Sequence, residues 1–177
     1  DITKLPISEL SKDAQTAYDA GAKGVMMFRW GLSNFIDFNK LNTHEITPSY
    51  GDSVSINSIL AASASLKKYI EDKGVLPKFV TVGNFNYTVP QFLYLMTKAT
   101  EGIANGNLKA ITAILVNASS KTSGDVINKQ LVKSEFVSLA KTLSSYMSAN
   151  GIAPGNVSST LGDIKYESLI YAYARVL

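Results

Sequence analysis

The chain has 177 residues, of which 46% are hydrophobic and 18% charged; this composition is typical of a globular protein and excludes a disordered one. It contains no cysteine, which excludes disulfides, thiolate zinc sites and cysteine nucleophiles, and no apolar run is long enough to predict a membrane span. The net charge of +3 divides into −2 in residues 1–52 and +5 in residues 53–177. The lysines of residues 53–177 are scattered over predicted helix exteriors, which indicates a solvated surface and no nucleic-acid site.

Residues 1–40 predict one helix followed by one strand. The helical spacing of apolar residues stops at Gly21, and a predicted strand over residues 25–30, which ends before Gly31, begins with a continuous apolar run at residues 25–28. Such a run is typical of a strand covered on both faces, but one strand cannot form a sheet. We therefore interpret residues 1–40 as an α-β element at the tail of a preceding domain, and the polar residues 41–52 as a linker.

Residues 53–177 contain the same landmarks twice, which predicts two tandem repeats over residues 53–117 and 118–177. The landmarks recur at one constant spacing, except for a Gly-to-Tyr block in which the second copy is displaced further along the chain, and we interpret this difference as a two-residue slip in a loop. The matched segments are Leu66–Ile70 with Leu143–Met147, Gly74–Pro77 with Gly151–Pro154, Gly83–Tyr87 with Gly162–Tyr166, and Phe92–Tyr94 with Leu169–Tyr171.

Each repeat predicts a helix, a small hairpin and a second helix, so the predicted fold class is mainly α with small β-hairpins. The first helices cover about residues 54–73 and 125–150, and Gly74 and Gly151 end them. The hairpin turn contains Gly83, for which we predict a positive φ, as for Gly162. Phe85, Phe92, Leu93 and Leu95 are predicted core residues.

The order of these landmarks resembles the pseudomurein-binding repeat of methanogenic archaea. The resemblance rests on a helix with Tyr69, the Gly-x-x-Pro of residues 74–77, the Val-Thr-Val-Gly of residues 80–83, Tyr87, and the Pro-Gln-Phe-Leu-Tyr of residues 90–94. It covers residues 54–105 and, more loosely, residues 131–177. The resemblance implies an extracytoplasmic location at the cell wall or cell surface, with an amino-sugar and peptide polymer as the partner.

Residues 20–31 also look like the final helix and strand of a chitinase-like (β/α)-barrel glycoside hydrolase. In such barrels a tryptophan at the end of the last strand stacks on sugar, and Trp30 occupies the matching place. The catalytic acids of those enzymes lie on earlier strands, which have no counterpart in this sequence.

The sequence predicts no independent catalysis, no metal and no cofactor. His44 is the only histidine and lies in the predicted linker, so a Ser-His-Asp triad would depend on an exposed loop residue. Adjacent Glu71 and Asp72 point about 100° apart on a helix and cannot flank one glycosidic bond. Asp19 and Asp37 are the remaining candidate acids.

Tyrosines at matched positions are the candidate ligand-binding residues, because a tyrosine ring offers sugars an apolar face and one hydrogen bond. The alternative is that each ring seals the core. We favour the core for Tyr69 and Tyr146, beside the apolar stripe, and leave both interpretations open for Tyr87 and Tyr166. The complete predicted site comprises Tyr87, Tyr166, Asn84, Asp163, Tyr69, Tyr146 and Trp30.

Three Asn-x-Ser/Thr sequons are candidate glycosylation sites, at Asn86, Asn117 and Asn156. Asn117 lies between the repeats and is the one we expect to be exposed. Sequons are frequent by chance, so they are weak support for export.

The sequence thus favours a non-catalytic module that binds the archaeal cell wall and anchors a surface or secreted protein. Two alternatives stay open. The chain could be the C-terminal part of a glycoside-hydrolase-like wall enzyme with the repeats as its targeting module, or a structural surface protein whose repeats pack on other subunits.

Overall fold

The computed structural model describes residues 50–127 and 129–177. The predicted α-β element, Trp30, His44 and most of the predicted linker therefore lie outside the described residues. The chain divides into two compact units, Asp1–Thr47 and Pro48–Leu177. The last linker residues belong to the second unit, where the Gly51 amide donates to the Ala113 carbonyl at 2.8 Å and the Ala113 amide donates to the Asp52 carbonyl at 2.9 Å.

Helices dominate the described residues of the second unit, and its strands form three short antiparallel pairs, so the mainly α fold with small hairpins is confirmed. No helix in residues 50–127 or 129–177 is long and apolar enough to cross a membrane. In chain order the elements are β1 (Ser53–Val54), α1 (Ile56–Lys73), β2 (Phe79–Val82), β3 (Phe85–Thr88), α2 (Val89–Ala104), β4 (Ile111–Thr112), α3 (Lys133–Asn150), β5 (Asn156–Ser159), β6 (Gly162–Lys165) and α4 (Tyr166–Val176). β1 pairs with β4, β2 with β3, and β5 with β6.

Local chemistry sets the helix ends. The Ser55 side chain accepts the amide of Ser58 at the start of α1, and Gly74 ends the helix with a φ of 70°. Gly151 ends α3 in the same way, with a φ of 65°. Thr88 and Gln91 form a reciprocal capping box at the start of α2.

The predicted start of the third helix at residue 125 is wrong, because α3 begins at Lys133. Asp125 is instead held against the second hairpin: its amide donates to the Asp163 carbonyl at 2.7 Å, and its carboxylate accepts the Asp163 amide at 2.8 Å. These bonds fix the backbone of Asp125 outside a helix. The described residues between Asp125 and Val132 accordingly contain no helical turn.

The hairpin registers correct the predicted two-residue slip. α3, β5, β6 and α4 follow α1, β2, β3 and α2 at one constant spacing, equal to that between Gly74 and Gly151. Tyr87 pairs with Val80, whereas Ile164 pairs with Val157, so Ile164 is the positional counterpart of Tyr87. Tyr87 and Tyr166 are therefore not a matched pair. Gly83 and Gly162 occupy different places in the two hairpins, and for this reason a match of the two glycines gives a spacing that is two residues too long.

Gly83 and Gly162 both have positive φ, as predicted, but for different reasons. Gly83, at 61°, is the first of two turn residues, which is the glycine position of a type II′ turn. Gly162, at 116°, is the first residue of β6, and a Cβ there would lie 2.5 Å from the Asp125 carboxylate. Thr160 occupies the turn position in the second hairpin, and Glu135 of α3 accepts both its amide and its hydroxyl, at 2.7 and 2.8 Å.

The two halves exchange helix partners. α1 packs mainly on α4, and α2 packs mainly on α3, so each first helix covers the second helix of the other half. One continuous hydrophobic core results, and it includes the predicted core residues Phe92, Leu93 and Leu95, none of which is exposed. Phe85 is the exception and is 47% exposed, because it directly follows the turn at the hairpin tip.

Because the helices exchange partners, we expect residues 48–177 to fold without the preceding residues and to unfold in one cooperative transition. Fragments 48–117 and 118–177 should each be largely unfolded alone, since each would expose the face that the other half buries. Mixing them should restore helical signal. Circular dichroism of the three fragments tests this, and cooperative melting of either half alone would contradict the shared core.

We expect Gly83→Val to reduce the free energy of unfolding by about 1–3 kcal/mol, because a β-branched residue at positive φ is strained. Thr160→Val at the corresponding turn position has negative φ and should cost only the hydroxyl contact with Glu135, about 0.5–1.5 kcal/mol. Chemical denaturation of both variants measures the difference. Equal costs would show that backbone strain at Gly83 is not the deciding term.

Candidate ligand-binding groove

The exposed matched tyrosines are Tyr69 and Tyr146. They are 40% and 45% exposed, at equivalent positions on α1 and α3. The sequence favoured the core for this pair, and the structure places them otherwise. Each lies close to the buried stripe, which passes through Leu66 in α1 and through Leu143 and Met147 in α3, and each is in the last turns of its helix. Both rings are therefore accessible to a ligand.

Tyr87 and Tyr166 lie in the core, with exposed fractions of 0% and 7%. Burial raises the pKa of both hydroxyls, and Asp52 and Glu167 add a smaller electrostatic effect at Tyr87 and Tyr166 respectively. Since neither ring is accessible in this fold, stacking of a polymer on either one would require the core to open. The sequence leaves open whether Tyr87 binds a ligand or seals the core. Because Tyr87 lies on the inner face of the hairpin, its ring belongs to the core.

A groove of about 430 Å³ lies beside Tyr146, between α3, the loop after it and β5. α3 supplies Thr142 and Tyr146, and the left-handed Gly151 ends the helix so that Ile152 and Pro154 of the following loop join the lining. This placement follows from the Gly-x-x-Pro spacing, because the glycine ends the helix and the proline prevents it from resuming.

Segment 117–121 lies beside the groove and contributes Ser119 to its lining. The Asn117 amide donates to the Gly151 carbonyl and the Ala153 amide donates to the Asn117 carbonyl, both at 2.8 Å. Gly155 permits this close approach, since a Cβ there would overlap the Lys121 carbonyl oxygen. Ser119, which lines the groove, is fixed by donating its hydroxyl to the same Lys121 carbonyl at 2.8 Å.

The groove combines one exposed aromatic ring with apolar and uncharged polar groups, and no Asp, Glu, Lys, Arg or His is among the described residues that line it. That combination suits an uncharged ligand with both apolar faces and hydroxyl or amide groups. Its lining residues are Ser119, Thr142, Leu143, Tyr146, Ile152, Ala153, Pro154, Gly155, Asn156, Val157 and Ser158.

The surface around Tyr69 has a different chemistry. Phe79 stands where Asn156 stands in the second half, and Lys78 stands at the position of Gly155. The Lys78 ammonium lies 5.3 Å from the centre of the Phe79 ring, within the range of a cation–π contact. The two tyrosines therefore share their position on the helices and differ in their neighbours.

The other predicted site residues are dispersed. Asn84 is exposed in the first hairpin turn, whereas half-buried Asp163 accepts the Ser158 hydroxyl at 2.6 Å across the second hairpin. Asn86 stands at the position equivalent to Asp163 and accepts the Thr81 hydroxyl at 2.7 Å. Both residues thus stabilise their hairpins through one equivalent bond.

Of the sequon asparagines, Asn117 is exposed beside the groove, as expected from the sequence. Asn156 lines the groove and donates its side-chain amide to Ser123 at 3.1 Å. Sequence reasoning missed Ile152, Pro154 and Ser158 as possible ligand contacts. A sequence signal for these contacts exists: in both halves a tyrosine near the end of the helix is followed by Gly-x-x-Pro, which brings the loop after the helix close to the tyrosine.

Within the described ranges, no group of three or more His, Asp or Glu residues could hold a metal ion. Comparison with protein-family models, with curated proteins and with solved structures finds no match. The assignment of the groove therefore rests on its own geometry and chemistry.

Two buried tyrosines give a matched test of the core assignment. The Tyr87 hydroxyl has no hydrogen-bond partner in the described part of the chain, whereas the Tyr173 hydroxyl donates to the Phe136 carbonyl at 3.2 Å. We expect Tyr87→Phe to leave the free energy of unfolding unchanged or higher, and Tyr173→Phe to lower it by about 0.5–1.5 kcal/mol. Chemical denaturation measures both, and a larger loss for Tyr87→Phe would contradict this placement.

Proposed function

We propose that residues 53–177 are two tandem copies of one helix–hairpin–helix repeat and form a non-catalytic module that binds the archaeal cell-wall polymer pseudomurein. The module would anchor a surface or secreted protein outside the cytoplasm. The observation that carries this proposal is the pair Tyr69 and Tyr146, two accessible rings at equivalent places in the two halves. The sequence resemblance to the pseudomurein-binding repeat supplies the identity of the polymer.

Three features support the repeat. Equivalent elements begin at one constant spacing, equivalent glycines end α1 and α3, and equivalent side-chain bonds cross the two hairpins, from Thr81 to Asn86 and from Ser158 to Asp163. A polymer with repeating units can contact two exposed tyrosines that lie at equivalent positions of one module. Two weak contacts on one chain then reinforce each other through their high effective concentration.

The lining of the groove supports an uncharged sugar unit as the part of the polymer bound at Tyr146. A sugar ring presents an apolar face that can stack on the tyrosine, and its hydroxyl and acetamido groups can exchange hydrogen bonds with Ser158 and Asn156. Ile152 and Pro154 add apolar surface to the same lining. A strongly charged ligand would find no opposite charge in the described lining.

We expect Tyr146→Ala to weaken binding to isolated pseudomurein walls by about tenfold, the effect of losing one stacked ring. Tyr69→Ala should also weaken binding, and the double variant should lose more than either single variant because avidity is removed. Co-sedimentation of residues 48–177 with walls over a concentration series measures the affinities.

Phe85→Ala is the matched control, because Phe85 is an aromatic residue of similar exposure, 47%, and its positional counterpart is Gly162. It should bind walls as the parent does. Every variant is first checked for a cooperative thermal transition. Folded Tyr69→Ala/Tyr146→Ala protein that sediments with walls as strongly as the parent overturns the site, and a parent that does not sediment at all overturns the function.

A further inference from the structure

A second cavity, of about 490 Å³, opens at the C-terminal end of α2. Lys98, Glu101 and Asn105 line it from the end of the helix, and the segment after the helix contributes Asn107 and Lys109. It shares no lining residue with the groove at Tyr146. The two cavities are therefore separate sites.

Backbone contacts hold the segment after α2 against the helix. The amides of residues 105–107 donate to the carbonyls of residues 101–103, and Gly106 turns the chain with a φ of 68°. Gly102 permits the close approach, since a Cβ there would lie 2.5 Å from the Asn107 carbonyl oxygen. Further along, the same segment enters β4 and pairs with β1. The cavity is thus bounded by backbone that is fixed at both ends of the segment.

The charged groups of the cavity carry a positive surplus. Two ammonium groups and one carboxylate line it, so the net charge of the lining is +1. The Lys98 ammonium contacts one oxygen of Glu101 at 3.3 Å, and the other oxygen accepts the Ser144 hydroxyl. Lys109 is exposed and has no ion-pair partner within residues 50–127 and 129–177. The carboxylate is therefore already bonded, whereas one ammonium group is unpaired.

Uncharged groups surround the lysines and narrow the class of ligand further. Ile56, Ile111 and Ile114 give the cavity apolar surface. The Asn107 side chain accepts the Lys109 amide through its oxygen, at 3.3 Å, and keeps its N–H groups for another acceptor. Cation, apolar surface and amide donor thus lie around one volume.

We propose that this cavity binds a small carboxylate that also carries an apolar group and an amide, which is the chemistry of an N-acylated apolar amino acid or of the C-terminal residue of a peptide. The ligand carboxylate accepts hydrogen bonds from Lys98 and Lys109, its apolar group lies against the isoleucines, and its amide carbonyl accepts from Asn107. This site is independent of the groove at Tyr146 and does not rest on wall binding.

N-acetyl-leucine is the probe, and N-acetyl-leucine amide is its uncharged counterpart. Titration of the isotopically labelled full chain should shift the NMR amide signals of Gly102, Asn107 and Lys109 and saturate with a dissociation constant of about a millimolar, as expected for a ligand of this size. The uncharged amide and acetate should each bind at least about tenfold more weakly, because one lacks the charge and the other the apolar group. The signals of Tyr146 and Ile152 should not move.

A short peptide, N-acetyl-Gly-Gly-Leu, distinguishes the two sources of this chemistry. Tighter binding than that of N-acetyl-leucine identifies a peptide C-terminus as the ligand, because the added residues then contribute contacts. Equal or weaker binding identifies a single acylated amino acid.

Substitutions of the charged residues should change the affinity in opposite directions. Lys109→Gln should weaken binding by about fivefold, and Lys98→Gln by more, because it also removes the cation that neutralises Glu101. Glu101→Gln should tighten binding by about two- to fivefold, since it removes a like charge while its side-chain carbonyl can still accept the Ser144 hydroxyl. Lys133→Gln, at an exposed lysine of α3 outside the lining, is the matched control and should bind as the parent does.

Every variant is first compared with the parent by its NMR spectrum, so that only folded proteins are titrated. The proposal is overturned if N-acetyl-leucine gives no saturable shifts at Gly102, Asn107 and Lys109, or if its uncharged amide binds as tightly as the acid. It is also overturned if Glu101→Gln weakens binding as much as Lys109→Gln does, because the cavity would then hold a cationic group against Glu101.

Discussion

The exchange of helix partners between the two halves is the constraint on which the rest of this structure depends. α1 needs α4 to cover its apolar stripe, and α2 needs α3, so neither half has a complete core of its own. Burial of apolar surface is the main favourable contribution to folding, and here the main helix–helix packing lies between the halves. A half-buried hydrogen bond from the Ser144 hydroxyl of α3 to the Glu101 carboxylate of α2 adds a polar contact between these two helices.

That shared core also fixes the candidate groove. α2 packs against the inner side of α3. The outer side of α3, which includes Tyr146, therefore forms the groove with the loop after Gly151 and with Ser119 of segment 117–121. The connection between the halves is therefore part of the site: it is bonded to the loop through Asn117 and fits closely only because residue 155 is glycine. A segment that the sequence presents as a connector thus supplies Ser119 to the lining of the groove.

The two hairpins reach the same shape by different chemistry. The first turns at Gly83 with a positive φ, whereas the second turns at Thr160 and is held by the Glu135 carboxylate. The glycines of the two hairpins therefore do not mark the same position, because Gly162 permits a close approach of Asp125 and is not a turn residue. Strand pairing identifies equivalent positions in the two halves more reliably than the identity of a single turn residue does.

The sequence by itself determined part of the local structure of the described residues: the helical stripes, the glycine ends of α1 and α3, and the first hairpin. These features depend on neighbours a few residues apart, whose chemistry can be read along the chain. Only the tertiary structure decided which tyrosines are accessible. Tyr69 and Tyr146 border the apolar stripe and became surface residues, whereas Tyr87 entered the core, because exposure depends on which helix from the other half covers each face. The partner exchange and the register of the second hairpin were likewise decided by contacts between residues far apart in the sequence, which no local pattern encodes.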